Sequence, residues 1–220
     1  VFRRTTLVEA GGFSTRTIGE DMEMTMRLHR FHRLSERAYR IAFVPEAVCW
    51  TEAPESLTVL RRQRTRWQRG LMESLWTHRK LFFHPKAGAV GWLACPAMLL
   101  IEGLGPVVEL LGYVVMTLLI ALDLISWASL GAFLLLAFGS GLLLSASALL
   151  LEEVAFRTYP RPRHLAVLLA AMVVENLGYR QLTVWWRTVG LFKWLTGQKQ
   201  RWGDMPRRGA TGIDGVGHGP

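Results

Sequence analysis

From about Val90 to Trp186 the chain is dominated by Leu, Ala, Val and Gly and carries few charges; no other feature narrows its fold as much. A charge-poor apolar run of roughly 18 or more residues is long enough to cross a bilayer, and this stretch has room for several. Residues 1 to 86 are charged and mixed, in the manner of a soluble α/β piece. The contrast predicts a cytosolic lobe attached to a bundle of membrane helices. The net charge of +9 then reads as the positive-inside bias of a membrane protein, with attraction to pyrophosphate or anionic lipid as a second contribution. Nucleic-acid binding is not expected, because it would leave the apolar half without a role.

The apolar half divides at its prolines and charges. The block from Val90 to Leu122 exceeds the ~20 residues a span needs, and Pro96 and Pro106 are expected to break it. An interfacial stretch followed by a span from about Ala97 to Ala121 results. A second span covers Leu124 to Leu151, and a third apolar segment runs from Leu165 to Trp186, after a basic linker, RTYPRPRH, expected to be cytoplasmic. Three crossings from the inside would put the basic tail outside, against the positive-inside bias. Either the third segment is re-entrant or interfacial, or the rule fails; a cytoplasmic tail is the expectation adopted. Glu102 and Glu109 interrupt one apolar segment, and Glu175, Asn176 and Arg180 another. Such groups either line a polar path or pair with one another.

In the first third, a helical turn near Leu7 to Ala10 stops at Gly11-Gly12. A helix is predicted from Glu20 to Leu34, its first turn acidic as the helix dipole favours. Tyr39 to Val44 reads as a strand ended by Pro45. Ser56 can cap a further helix reaching Trp76, with Leu57, Leu60, Trp67, Leu71 and Leu75 apolar and Arg61, Arg62, Arg64, Arg66 and Arg69 supplying charge. Cys49 and Cys95 have no metal-like spacing and the six histidines form no HExxH, so no zinc site is expected.

Two stretches carry chemistry: GGFSTRTIGEDMEMTMRLHR, from Gly11 to Arg30, and QRTRW, from Gln63 to Trp67. An acidic pair at a helix start is common for dipole reasons alone. The five-residue signature is more specific, and the two in this order with membrane segments directly after them are more specific still. Together they resemble the processive family 2 glycosyltransferases, the group of cellulose, hyaluronan and poly-N-acetylglucosamine synthases. The resemblance implies that Asp21 is the catalytic base, with Glu20 shaping its field. It implies that Arg64 and Arg66 meet a departing diphosphate, that Trp67 stacks on an acceptor sugar, and that Gln63 offers its amide to hydroxyls.

The chemistry suits these residue types. A carboxylate can take the acceptor proton, guanidiniums can bind phosphate oxygens in bidentate fashion, and a tryptophan face can carry a sugar ring. The implied fold is α/β plus membrane α-helices: the C-terminal portion of a GT-A-like domain with an interfacial helix over residues 1 to 88, about three transmembrane segments over 89 to 190, and a basic tail over 191 to 220. The implied reaction is inverting transfer from a UDP-sugar to a growing glycan or lipid-linked acceptor, at the cytoplasmic face of a multi-pass protein in the cell membrane. The family's DxD motif, which holds a divalent cation (Mg or Mn), does not occur here. The start, VFRRTTLVEAGGF, resembles the middle of a catalytic domain. The chain is therefore expected to hold the base and acceptor half of a site, to have no metal ligands of its own, and not to turn over a sugar nucleotide alone. The competing reading is a non-catalytic membrane transporter or scaffold remnant.

Overall fold

A computed structural model of the chain describes residues 2–15, 17–42, 44, 53–156 and 162–198. In chain order its α-helices are α1 (Arg4–Glu9), α2 (Glu20–Leu34), α3 (Leu57–Thr77), the single turn α4 (Cys95–Ala97), α5 (Gly105–Ala121), α6 (Trp127–Phe156), α7 (Pro162–Val174) and α8 (Arg180–Leu195). Local signals set the first boundaries: α1 runs into Gly11 and Gly12, both at positive φ, and the Ser56 hydroxyl accepts from the Val59 N–H at 3.3 Å to start α3.

Residues 38–42 and 44 are not in a strand, and no strand occurs among the described residues. The described part of the first 88 residues thus shows helices and not the strands of the expected α/β character. A strand needs a neighbour to pair its backbone groups, and no described segment supplies an edge. Tyr39 turns back onto α2 instead: its hydroxyl lies 2.7 Å from His29 Nδ1 and accepts from Arg33 Nε at 3.0 Å, and its ring stacks on His32. Pro45 and Cys49 lie outside the described residues.

The core sits where α2, α3 and α8 meet, around Met26, Leu71, Met72, Leu75 and Leu191. On α3, Leu71 and Leu75 are buried and Leu57 and Trp67 are exposed, while Arg69, one of the residues read as supplying charge, is buried. Arg69 tolerates this because Nε donates to Glu73 one turn on, at 2.7 Å. Its helix side is the one that α8 covers, so tertiary contact overrides the simple polar-apolar split. Gly190 of α8 marks the closest approach: a Cβ there would lie 2.6 Å from the Thr65 carbonyl oxygen of α3.

Three helical stretches are long and apolar enough to cross a membrane: Val90–Ala121, Trp127–Ala155 and Arg163–Leu195. Leucines on α6 such as Leu135, Leu136, Leu143 and Leu144 are more than two-thirds exposed, an arrangement suited to lipid rather than water. Pro96 and Pro106 do not break the first stretch as expected. The helix widens into π turns at Val90–Ala94 and Met98–Leu104, and the backbone stays helical throughout. The third stretch, expected to be one segment, is interrupted. Leu177 (φ −103°, ψ 68°) and Gly178 (φ 119°, ψ −51°) leave the helical region, and α8 beyond them packs along the arginine-rich α3. Beyond residue 198 the basic tail, from Lys199 on, lies outside the described residues.

Candidate active site

The start of α2 is pressed onto the middle of α3. Gly70 permits the approach: a Cβ there would lie 3.0 Å from Gly19 N, too close for backbone against backbone. Glu73 fixes the same junction from one turn further along, accepting from Ile18 N at 3.2 Å and from Arg69 Nε at 2.7 Å. The loop before Glu20 and Asp21 is thereby tied to the helix that carries QRTRW.

A cavity of about 360 Å³ opens at this junction, lined among others by Asp21, Arg64, Arg66 and Trp67. Four of the six predicted residues thus share one hollow, although they come from separate helices. Glu20 and Gln63 do not line it. Asp21 is exposed on the rim, and one carboxylate oxygen accepts from its neighbour Met22 N at 2.7 Å. The Arg64 guanidinium lies over the Trp67 ring at 5.1 Å and donates through Nη2 to the Tyr179 hydroxyl at 3.3 Å. Its Nε is buried with no hydrogen-bond partner among the described residues. Trp67 itself is half exposed, with a face available beside the cavity.

The far wall was not legible as a site. Pro106 has no N–H, so the Glu102 carbonyl four residues earlier loses its helical donor. That carbonyl is taken from outside the helix by Gln68 Nε2 at 3.1 Å and Arg187 Nη2 at 2.6 Å. Gln68 also donates to the Gly103 carbonyl at 2.8 Å and accepts from Arg187 Nε at 2.8 Å. Arg187 Nη2 completes an ion pair with the Glu102 carboxylate at 2.7 Å. Gln68, Glu102 and Arg187 all line the same cavity. Only the proline and the interrupting glutamate hinted at this in the sequence. A second charge pair joins the apolar helices: Arg180 Nε and Nη2 donate to the two Glu109 oxygens at 2.8 and 3.0 Å, and Asn176 lies beside them.

A larger hollow of about 790 Å³ on the other face of α2 contains none of the predicted residues. Glu23 and His78, each only 2% exposed, meet there, with His78 Nε2 2.8 Å from Glu23 Oε1. Arg27 Nε donates to the same oxygen at 2.9 Å and Arg27 Nη1 to the Gly12 carbonyl at 2.7 Å, so the glycine turn hangs on this pair. The His78 Nδ1 atom faces Arg30 Nη1 at 3.5 Å, which favours the neutral tautomer with its proton on Nε2. Burial, with help from Arg30 and Arg27, holds the imidazole below its ordinary 6.5 despite the pull of Glu23. The native state therefore binds fewer protons than the unfolded chain below that value. Its stability is fully present above about pH 6.5 and falls as the pH drops through the lowered value. Thermal unfolding in detergent between about pH 7.5 and about pH 5.5 should show this loss. His78→Gln, which keeps a donor for Glu23, should flatten the slope over that range.

Among the described residues no group of three or more His, Cys, Asp or Glu side chains converges. Of the two carboxylates in the cavity, Glu102 is engaged by Arg187. These residues do not fit a divalent cation.

The pattern of a protein family described as glycosyl transferase family group 2 matches residues 1–195. A probable glycosyltransferase, YdaM, of Bacillus subtilis is 38% identical over 68 residues, which is 31% of this chain and 15% of that protein. The poly-β-1,6-N-acetyl-D-glucosamine synthase of Staphylococcus aureus (strain COL) is 37% identical over 75 residues, 34% of this chain and 17% of the synthase. The matched stretches thus cover less than a fifth of these relatives. No solved structure matches the chain.

Proposed function

We propose that this chain, which belongs to glycosyl transferase family group 2, carries the base and acceptor portion of an inverting, nucleotide-sugar-dependent transferase that extends a glycan at a membrane. The observation that supports this reading best is the gathering of Asp21, Arg64, Arg66 and Trp67 around one cavity. In the proposed reaction Asp21 removes the proton from an acceptor hydroxyl as its oxygen attacks the anomeric carbon. The bond from that carbon to the diphosphate oxygen breaks, and the electron pair leaves with the nucleotide. Arg64 and Arg66 stabilise the charge that gathers on the leaving diphosphate. Trp67 holds the acceptor ring by its face. Glu20 and Gln63, away from the cavity wall, act through the local field and the setting of the helix.

The donor is UDP-N-acetylglucosamine or UDP-glucose; the first is favoured by the Staphylococcus synthase among the relatives. Three apolar helices of sufficient length support a multi-pass membrane location, and the arginine-rich α3 supports a cytoplasmic face for the site. The kink at Leu177–Gly178 and the packing of α8 on α3 favour an interfacial last helix. Two crossings then leave the tail on the cytoplasmic side.

The test is incorporation of label from radioactive UDP-N-acetylglucosamine and UDP-glucose by membranes containing the enzyme in its native, full-length context. Labelled glycan is expected from one of the two donors, as a ladder if transfer is processive and as a single addition if it is not. Intact, membrane-inserted protein that incorporates neither sugar would favour a non-catalytic membrane protein.

A further inference from the structure

The cavity wall holds its charges in different settings. Arg64 meets only neutral partners among the described residues, the Tyr179 hydroxyl and the Trp67 ring. Glu102 and Arg187 neutralise each other at 2.7 Å. We propose that this Glu102–Arg187 pair is a hydroxyl-reading subsite for the acceptor glycan, a neutral polyol, rather than a second phosphate site. The inference rests on the transferase reading above and adds two residues to it.

The geometry that carries it begins with Pro106. The carbonyl this proline releases captures Arg187 Nη2, and Gln68 Oε1 captures Nε. Arg187 Nη1 is left without a partner among the described residues. Among the described residues only one oxygen of the Glu102 carboxylate is used, and that side chain is 56% exposed. The pair therefore presents a donor edge and an acceptor oxygen side by side on the wall that Trp67 also lines. Adjacent hydroxyls on a pyranose ring need that combination: each hydroxyl donates one hydrogen bond and accepts others, while the apolar ring face lies against an aromatic. Because Gln68 is fixed by the Gly103 carbonyl as well, the guanidinium is oriented before any sugar arrives.

Glu102→Gln is the informative variant, since its exposed side chain can change with little risk to folding, and the amide keeps the shape but alters what the pair accepts. Arg187→Lys keeps the charge and loses the fork. Both would be compared with wild-type full-length enzyme in membranes, supplied with the donor that wild type incorporates. Tetrasaccharides of β-1,6-linked N-acetylglucosamine and of β-1,4-linked glucose would serve as acceptors. The expected result is an acceptor KM raised roughly tenfold or more in both variants, with donor KM within about twofold. A raised donor KM with normal acceptor KM would overturn the assignment in favour of a phosphate contact. Normal values of both would show that the pair is only a brace between helices. A wild type that transfers to no acceptor would instead count against the transferase reading itself, and so is distinguishable from either.

Discussion

Asp21→Asn in the full-length enzyme is expected to lower kcat for sugar transfer by about a hundredfold to ten-thousandfold, the usual worth of a positioned general base. Donor binding should change little. The substitution is conservative in every respect but one. The Asp21 oxygen that accepts from Met22 N has an equivalent in the asparagine amide oxygen, so this contact in the first turn of the helix is kept. The junction with α3 depends on Gly19, Gly70 and Glu73 rather than on this side chain, so the cavity should keep its shape. What disappears is the ability to take a proton. The companion variant Glu20→Gln removes a charge from the same turn at a position that does not line the cavity, and its effect should be no more than a few-fold. The two are compared by initial rates at saturating donor, with the amount of folded enzyme matched by detergent-solubilised gel filtration. Equal losses from both would mean that the acidic turn matters only through its field. Normal transfer by Asp21→Asn would remove the base from this site.

The sequence pattern located what is local and missed what is made across space. The acidic turn and the fifteen-residue length of α2, the Ser56 cap and the extent of α3 all follow from periodicity and capping chemistry within one segment. The cavity that both motifs line is made by the packing of α2 on α3, at the Gly19–Gly70 contact. The strand at Tyr39 failed because a strand is a property of a pair, and the ring had closer partners on α2. Arg69, read as one of the residues supplying charge, is buried because α8, more than a hundred residues away, covers one side of α3. Gln68 gave no signal at all. It stands next to the signature and looks like any polar helix residue, and its significance comes from a carbonyl freed by a proline on another helix. Pro106 was read as a break, which is its effect in water-exposed helices. In an apolar helix with neighbours that can donate, the released carbonyl becomes an attachment point instead.

The same logic predicts the largest stability effect. Arg180→Met is expected to destabilise the protein by about 3 kcal/mol or more, because it strands the Glu109 carboxylate beside apolar helices, where among the described residues only the Tyr113 hydroxyl serves it. Glu109→Met should cost a similar amount, leaving a guanidinium whose remaining hydrogen bond among the described residues is to Asn176 Oδ1 at 3.5 Å. The double variant should recover most of this loss, since removing both charges from a low-dielectric setting removes both desolvation costs along with the attraction. Thermal unfolding in lipid nanodiscs would give the cycle, with a coupling of roughly 2 kcal/mol or more expected. Additive costs would mean that the two side chains do not meet in the bilayer. The position of the pair gives the result a further meaning. Arg180 is the first residue of α8, directly after the Leu177–Gly178 interruption, and Glu109 belongs to α5. Tyr179, the preceding residue, accepts from Arg64 of the cavity. A double variant that regains stability but transfers sugar more slowly would show that the ion pair aims α8, and with it Tyr179, at the site. Full recovery of both would confine the pair to holding the helices together.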